Sequence, residues 1–310
     1  MAITQTVEQV TPELTRVRYL IANSFLWGAS EGWVLIDAGL PGSRSTIVDA
    51  ARERFGPDTP PEAIILTHGH FDHRGAFPEL FEDWDVPVYA HPVELPHLTG
   101  QKGYPPPDPT VGGGVVSLLS FAFPASAIDL GDRVRALPAD RSVPGMPGWR
   151  WLHTPGHTDG HVSLFRDADR CLIAGDAFTT LQAESIIANI TLTPKLHRPP
   201  AYFTPDWPST RVSIEKLAEL HPAIVATGHG QPLYGPAMQE DLLRLAYEFE
   251  RLGLPPQGRY REIPALYDAA TGLTRVPPVP VAPYVKAAGV LFVLALAIMG
   301  ANKLRNGDEG

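Results

Sequence analysis

The side chains best suited to chemistry lie close together in one short stretch, residues 67–75. This stretch follows an apolar run at residues 63–66, which predicts a short buried strand. Side chains alternate in direction along an extended chain, so His68 and His70 are expected to point to the same side. Two imidazole rings therefore converge on one point just beyond the strand.

Two more ligand-type side chains, Asp72 and His73, follow where the chain is predicted to turn into a helix over residues 73–84. Asp72 stands at the expected N-cap of that helix. Imidazole nitrogen suits zinc, copper, nickel or iron, and a carboxylate adds a hard oxygen ligand. The stretch therefore predicts a metal site, with zinc favoured, rather than a polar loop that happens to hold three of the chain's eleven histidines.

Three later strand-like runs each end in a further candidate metal ligand. The pairs are residues 149–153 with His157, residues 171–174 with Asp176, and residues 223–227 with His229. Pro155 and Gly156 force a turn before His157. An α/β sandwich would gather such carboxyl-terminal strand ends along one edge of two sheets.

These motifs, taken in order, resemble those of the metallo-β-lactamase superfamily of binuclear metal hydrolases. The matching pieces are residues 67–73, 154–158, 174–176 and 227–230, within a region that covers roughly residues 15–235. The resemblance implies an α/β fold, a four-layer αβ/βα sandwich. Transferred by motif position, it implies that His68, His70 and His157 hold one metal ion, that Asp72, His73 and His229 hold a second, and that Asp176 bridges both.

The ligand set implied by the resemblance would hold two zinc ions, with iron or manganese as other candidates. Two neighbouring cations share a water and lower its pKa, so the resulting hydroxide attacks the substrate without a serine or cysteine nucleophile. Asp72 would carry the proton once the substrate is bound. The expected reaction is hydrolysis of a small-molecule ester, lactone or thioester.

Other residues near the motifs have expected supporting roles. The resemblance assigns Asp37 to bracing of the metal-site loops, and a plain turn-capping role for this residue also stays open. It treats His161 as structural. Neither His91 nor His97 is predicted to be a metal ligand.

The motifs also bear on the branch of the superfamily. No cysteine lies among the candidate ligands, which makes the chain less like the β-lactamases that use a cysteine ligand. Residues 154–161 look more like the glyoxalase II and lactonase-type branches, although no glutathione-binding helical domain is evident. Two other functions stay open: a mononuclear iron persulfide dioxygenase that would use only His68, His157 and Asp176, and a non-catalytic, membrane-tethered binding module.

Two variable segments, residues 92–147 and 178–208, are expected to influence which substrate the site accepts. The first has few periodic features and is either a lid over the site or an excursion over the surface. The second should form part of the pocket wall, where Tyr202 either hydrogen-bonds a substrate carbonyl oxygen or simply packs. Selectivity resides in such segments, so the motifs alone do not specify the substrate.

Composition limits the partners and the compartment. A net charge of -9, a pI near 5.6 and the lack of a long basic run argue against a nucleic-acid partner. Cys171 is the single cysteine and lies in an apolar run, which predicts a buried side chain and a reducing, cytoplasmic compartment. Residues 1–5 show no signal-peptide pattern.

Further elements follow from periodicity and helix-capping residues. A β-meander is predicted over residues 14–40. Helices are predicted from Ser43 or Ser45 to Phe55, from Ser209 to about Leu220, and over residues 235–253.

The chain is predicted to divide into a hydrolase domain over residues 1–253, a proline-rich linker over residues 254–284 and an apolar helix over residues 285–302. Residues 287–301 are uncharged and would span roughly 22 Å as a helix, against roughly 30 Å for a bilayer's hydrocarbon core. Lys286, Lys303 and Arg305 would extend this reach by snorkelling. We therefore expect a C-terminal membrane anchor in preference to a helix that docks on protein. Membrane orientation and oligomeric state are left open.

Overall fold

The computed structural model of the protein describes residues 6–29, 31–268 and 272–280. The strands are β1 Thr6–Gln9, β2 Leu14–Arg18, β3 Asn23–Ala29, β4 Gly32–Ile36, β5 Ala63–Ile65, β6 Val88–Ala90, β7 Val134–Ala136, β8 Trp149–His153, β9 Val162–Arg166, β10 Cys171–Gly175, β11 Ile224–Thr227, β12 Leu233–Tyr234, β13 Leu266–Asp268 and β14 Gly272–Arg275. The helices are α1 Arg44–Phe55, α2 Phe71–Arg74, α3 Phe77–Leu80, α4 Leu95–Leu98, α5 Val115–Leu119, α6 Ile186–Thr191, α7 Trp207–Ala218, α8 Gly235–Tyr247 and α9 Phe249–Leu252, with short 3-10 helices at Ser120–Ala122, Gly131–Arg133 and Ala201–Phe203.

Two mixed sheets carry the fold. In the first sheet, β1 to β7 lie side by side in chain order, antiparallel from β1 to β4 and parallel from β4 to β7. In the second sheet the order is β12-β11-β10-β9-β8, with β10 and β11 parallel and the other neighbours antiparallel. The β-meander predicted over residues 14–40 is confirmed as β2 to β4. A separate hairpin pairs β13 with β14.

The two faces of β4 pack against different layers, because side chains alternate along a strand. Trp33 and Leu35 belong to a buried cluster that contains Ile47 of α1. Val34 belongs to a second cluster that contains Ile173 of the second sheet. The first sheet therefore has helices on one face and the second sheet on the other.

The strand β10 repeats this pattern in the second sheet. Cys171 and Ile173 face the first sheet, whereas Leu172 joins a cluster with Ile214 of α7 and Leu242 of α8. The layers follow the order helix, sheet, sheet, helix, which confirms the predicted four-layer αβ/βα sandwich. Burial raises the pKa of the Cys171 thiol to about 12, and this side chain is buried as predicted.

The single helix predicted over residues 73–84 is wrong, because the two short helices α2 and α3 occupy this part of the chain. The Gly75 amide donates to the Gly39 carbonyl at 2.7 Å, and the Ala76 amide donates to the Ala38 carbonyl at 3.0 Å. These bonds to a distant loop replace the bonds that would continue α2.

The N-cap role predicted for Asp72 is also wrong. His70 takes the N-cap position of α2 with an extended backbone, and Asp72 lies inside the first helical turn. The helix begins at Phe71, two residues earlier than predicted. The ligand-type side chains between His68 and His73 therefore come from a short extended loop and one helical turn.

The other predicted helices are present, some with shifted ends. The helix α1 begins after Ser43 and ends before Gly56, as predicted. The helix α7 begins two residues before Ser209, because the Asp206 side chain caps it by accepting a hydrogen bond from the Ser209 amide at 3.0 Å. The helix predicted over residues 235–253 divides at Glu248 into α8 and α9.

Part of the predicted proline-rich linker, residues 254–284, packs on the domain. Tyr260 is buried, and its hydroxyl donates to the Pro106 carbonyl at 2.8 Å. Tyr267 of β13 and Leu273 of β14 pack against the cluster between the second sheet and its helices. Aromatic and aliphatic side chains of this segment thus reach a core that the prolines do not reveal, and the division into domain and linker stays a prediction.

No helix in the described ranges is long and apolar enough to cross a membrane. The apolar helix predicted over residues 285–302 lies outside those ranges, together with residues 281–284 of the predicted linker. The membrane-anchor hypothesis therefore stays a prediction.

We expect Leu172→Ala to lower the free energy of unfolding by about 2–5 kcal/mol, because it leaves a cavity between the second sheet and its helices. Chemical denaturation followed by circular dichroism measures the change. Val212→Ala, at an exposed position of α7, is the matched control and should change stability by less than about 0.5 kcal/mol. Equal effects of the two changes would contradict the assignment of layers.

Candidate metal centre

Strand ends bring the seven predicted metal ligands to one edge of the two sheets. They are His68, His70, Asp72 and His73 after β5, His157 after β8, Asp176 after β10 and His229 after β11. Each of these residues is at most 5% exposed. Their ligand atoms form three groups, each with all atoms within 4.8 Å of one another: His68 with His70 and His157, His68 with His73 and Asp176, and Asp72 with His73 and His229.

Asp176 lies between these groups. Its Oδ2 atom is 2.9 Å from His229 Nε2, 3.4 Å from His157 Nε2 and 3.6 Å from His73 Nε2. One carboxylate thus faces a member of every group, which is the position that a bridging ligand requires.

In four of the histidines the outer ring nitrogen, Nδ1, is held by a neighbour, which turns Nε2 inward. The contacts are His68 with Thr67 Oγ1 at 3.1 Å, His73 with Asp37 Oδ2 at 2.9 Å, His157 with Thr204 Oγ1 at 3.1 Å, and His229 with the Ile21 carbonyl at 2.5 Å. His70 is oriented the other way, with its Nδ1 2.9 Å from His157 Nε2. Such outer contacts fix the orientation and tautomer of metal-binding histidines.

Three inward-facing atoms, His68 Nε2, His73 Nε2 and Asp176 Oδ1, are buried without a hydrogen-bond partner among the described residues. Leaving buried polar atoms unpaired costs free energy, so the arrangement requires a bound species to satisfy them. Imidazole nitrogens together with carboxylate oxygens suit divalent transition metals. The residues present therefore fit a metal ion.

Burial keeps the histidines of the first group neutral. It lowers the pKa of His68 and of His70 well below the ordinary value, and it lowers the pKa of His157 to about 3. Metal ions bind the neutral form of imidazole. These three rings are thus in the binding form at neutral pH.

Asp176 is held ionised in the same buried region. Burial raises its pKa, but His229 and His73 outweigh burial and hold the pKa of this carboxyl well below its usual range. Burial likewise lowers the pKa of His73 and of His229, but Asp176, together with Asp37 at His73 and Asp72 at His229, outweighs burial and raises both pKa values. His73 and His229 thereby pair with the Asp176 carboxylate.

Asp37 braces the loops, which decides between the two roles considered for it. It follows β4 with a φ of 59°. Its carboxylate accepts hydrogen bonds from the amide and the hydroxyl of Thr67, both at 2.8 Å, and Oδ2 also accepts from His73 Nδ1. Asp37 thereby ties the end of β4 to both ends of the stretch that carries the first four ligands.

The remaining histidines considered in the sequence make other contacts. His161 Nε2 accepts a hydrogen bond from the Asp176 amide at 2.9 Å, so it orients this ligand without facing the metal groups. His91 and His97 stack on other aromatic rings. Neither belongs to a ligand group among the described residues.

Glu94, which no sequence motif singles out, connects two ligand loops. Its Oε1 accepts hydrogen bonds from the Gly69 amide at 2.9 Å and from the Tyr104 hydroxyl. Its Oε2 accepts from the Gly160 amide and the Thr158 hydroxyl, both at 3.1 Å. Four donors satisfy this fully buried carboxylate. Because its partners are distant in the chain, spacing in the sequence carries no signal for it.

Aromatic side chains cover one side of His70. Phe203 stacks on His70 with 4.5 Å between ring centres, and Tyr104 meets it edge-on at 4.7 Å. Phe123 lies 5.6 Å from Phe71, again between ring centres. Tyr104 and Phe123 both belong to the first variable segment, so this segment borders the site.

Tyr202 lies in the same aromatic wall. Its ring centre is 5.4 Å from that of Phe203 and 5.7 Å from that of Phe123, and its side chain is buried. Burial, with Asp72 nearby, raises the pKa of Tyr202 well above its usual value. Tyr202 therefore packs as a neutral phenol, and its contact with a substrate stays a prediction.

Known proteins resemble this chain in sequence. The Metallo-beta-lactamase superfamily model matches residues 17–229. YflN, a probable metallo-hydrolase of Bacillus subtilis (strain 168), is 51% identical over 214 residues, which cover 69% of this chain and 81% of that protein. YybB, a probable metallo-hydrolase of the same strain, is 28% identical over 195 residues, which cover 60% of this chain and 76% of that protein.

Solved structures share the fold. An archaeal metallo-beta-lactamase superfamily protein from Sulfolobus tokodaii has a TM-score of 0.52 at 20% identity, covering 79% of this chain and 84% of that one. BJP-1, a subclass B3 metallo-beta-lactamase of Bradyrhizobium japonicum, has a TM-score of 0.51 at 21% identity, covering 79% and 92% of the two chains. By its sequence, fold and ligand arrangement, the chain belongs to the metallo-beta-lactamase superfamily.

We expect Asp37→Asn to weaken metal binding about 10–100-fold. The side-chain amide nitrogen of the asparagine is a donor, and it would face a second donor on either Thr67 or His73, so one bracing hydrogen bond would be lost. Asparagine tolerates the positive φ at this position. Calorimetric titration of the metal-free chain with zinc measures the affinity. Asp108→Asn is the matched control, since Asp108 is also buried and accepts backbone hydrogen bonds but lies outside the ligand groups. Equal losses of affinity would contradict the bracing role.

The metal-free chain should lose stability as the pH falls below about 6.5. Burial lowers the pKa of His161 to about 3 in the folded chain, whereas an unfolded histidine titrates near 6.5. The unfolded state therefore takes up the proton first, and stability falls between these values by up to about 1.4 kcal/mol per pH unit for each such histidine. Denaturation in chelator at pH 7 and pH 5 measures this slope. His161→Gln should make it shallower, and an unchanged slope would contradict the assignment.

Proposed function

We propose that this chain is a metal-dependent hydrolase of a small-molecule ester, lactone or thioester. One observation carries the proposal: seven buried ligand side chains converge in three groups, and inward atoms of His68, His73 and Asp176 are left unpaired. Membership of the superfamily supports it, as does similarity to a Bacillus subtilis protein named as a probable metallo-hydrolase.

Two zinc ions are the proposed cofactors. His68, His70 and His157 would hold one ion, Asp72, His73 and His229 would hold the other, and Asp176 would contact both. These two triads have no residue in common, so both can be filled at once. When bound, the ions would supply Lewis acidity and lower the pKa of a water molecule towards neutrality.

The chain's own residues would move the proton and shape the site. Asp72 would accept a proton from the attacking water and pass it to the leaving oxygen or sulfur atom. Phe203 and Tyr104, which contact His70, would exclude water from one side of the site. Tyr202 would donate a hydrogen bond to the substrate carbonyl oxygen.

We also propose that the domain works in the cytoplasm and is attached to a membrane by residues 285–302. The support is sequence alone: a single cysteine, and an uncharged apolar run at residues 287–301. This attachment is independent of the reaction proposed for the domain.

Elemental analysis of the full chain should find about two zinc ions per molecule. His68→Ala and Asp176→Ala should lower the metal content and reduce hydrolysis of an ester, lactone and thioester panel by about 100-fold or more, because each change removes a ligand. His91→Ala is the matched control, since His91 is a buried histidine outside the ligand groups, and it should leave metal content and rate unchanged.

The competing function, a mononuclear iron persulfide dioxygenase, would need only His68, His157 and Asp176. About one iron per chain, with oxygen consumption in the presence of a persulfide and no hydrolysis, would overturn the hydrolase proposal. Full metal content in both ligand variants, with neither hydrolysis nor oxygen consumption by the unaltered chain, would overturn both enzymatic functions and leave the non-catalytic binding module.

A further inference from the structure

Two stretches of the variable segments carry no charged side chain. The first is residues 109–128, between Asp108 and Asp129, and the second is residues 185–194, between Glu184 and Lys195. In the chain as a whole, 19% of residues are charged. Both stretches form short helices at the surface, α5 with the 3-10 turn after it in the first and α6 in the second.

The two uncharged stretches lie side by side. The Val116 amide donates to the Glu184 carbonyl at 3.2 Å, and the Gln182 side-chain amide donates to the Gly113 carbonyl at 3.0 Å. At Gly114 a Cβ atom would come within 2.2 Å of the Glu184 carbonyl oxygen, so glycine permits this close approach. The helices α5 and α6 therefore begin next to each other.

Large apolar side chains of both stretches point into solvent. They are Val115, Leu118, Leu119, Phe121, Ile186, Ile187 and Ile190, and each is between 42% and 74% exposed. We call these seven residues the apolar surface. Neighbouring groups of exposed apolar side chains on a folded protein mark an interaction site more often than an isolated exposed leucine does.

We propose that the apolar surface inserts into the interfacial layer of a lipid bilayer. Short helices with an apolar face bind there by burying that face at the boundary between headgroups and acyl chains. None of the seven side chains carries a charge whose desolvation would oppose insertion. The partner is therefore a membrane surface, contacted by the folded domain itself.

The sequence after the described residues favours a bilayer over a protein cover. Residues 287–301 are uncharged and almost wholly apolar. If that run docked on the apolar surface, its opposite side, which is equally apolar, would stay in water. A bilayer accommodates both the run and the surface, so one partner satisfies both features.

The apolar surface is continuous with the metal centre. Phe123, which follows the 3-10 turn, lies 5.6 Å from Phe71 and 6.1 Å from Phe203 between ring centres, and Phe203 stacks on His70. Insertion of the surface would therefore place this side of the metal centre beside the lipid.

Site-specific fluorescence tests the proposal on the full chain. Cys171 is the sole cysteine and is fully buried, so a cysteine introduced at the surface can be labelled selectively. Phe121→Cys and Ile187→Cys report on the apolar surface, and Val212→Cys, at a comparably exposed position of α7, is the matched control. Each variant carries an environment-sensitive fluorophore and is mixed with phosphatidylcholine and phosphatidylglycerol vesicles. Circular dichroism checks that each is folded, and Ile190→Cys replaces a variant that is not.

We expect vesicles to shift the emission to the blue at positions 121 and 187, with no shift at position 212. No shift at either surface position would overturn the proposal. Blue-shifted emission before vesicles are added would also overturn it, because the surface would then be covered by protein. If this early blue shift depends on protein concentration, the covering protein is a second copy of the chain. If it does not, the cover is the chain's own C-terminal residues. The readout needs neither metal nor substrate, so it is separate from the hydrolase proposal.

Discussion

The burial of seven imidazole and carboxylate side chains at one sheet edge is the constraint on which the rest of the structure depends. Removing such groups from water costs free energy unless each polar atom finds a partner. The outer nitrogen atoms of the histidines have hydrogen-bond partners in the protein, such as Asp37 for His73 and Thr204 for His157. The inner atoms face one another around Asp176, where opposite charges on neighbouring groups offset part of the cost. The geometry of the site therefore suits a cation.

The two sheets contribute different parts of this site and must be held in register with each other. The first sheet supplies Asp37 and the stretch from His68 to His73, and the second supplies the other three ligands. Side chains on the first sheet reach across: Arg16 and Asn23 both donate to the Gly230 carbonyl beside His229, at 2.7 and 2.8 Å. Glu94 also connects two loops, because its carboxylate accepts hydrogen bonds from the amides of Gly69 and Gly160. Ligand geometry thus depends on packing between the sheets, and core substitutions far from the site can alter it.

The fold and the ligand set define a chemistry more closely than they define a substrate. Superfamily structures with about one fifth of their residues identical to this chain share its architecture, so the architecture alone does not select what is bound. The side chains that border His70, such as Phe203 and Tyr104, come from the two variable segments. The same segments present the apolar surface. The variable segments thus border the ligand side chains and also carry the apolar surface, while the ligand side chains themselves lie at the edge of the two sheets.

Local sequence by itself determined most of the site. Side-chain alternation along a strand places His68 and His70 on one side. Apolar strand-like runs precede His157, Asp176 and His229 by a few positions. Strand periodicity and turn chemistry therefore suffice to predict where these side chains lie. Tertiary structure alone decided the features whose partners are far away in the chain. The break between α2 and α3 depends on carbonyls of Ala38 and Gly39, and the role of Glu94 depends on donors up to 66 residues distant. Tyr260, Tyr267 and Leu273 pack on the domain for the same reason. A residue's propensity and its neighbours describe its local conformation, but only packing reveals which distant group satisfies its hydrogen bonds or covers its apolar surface.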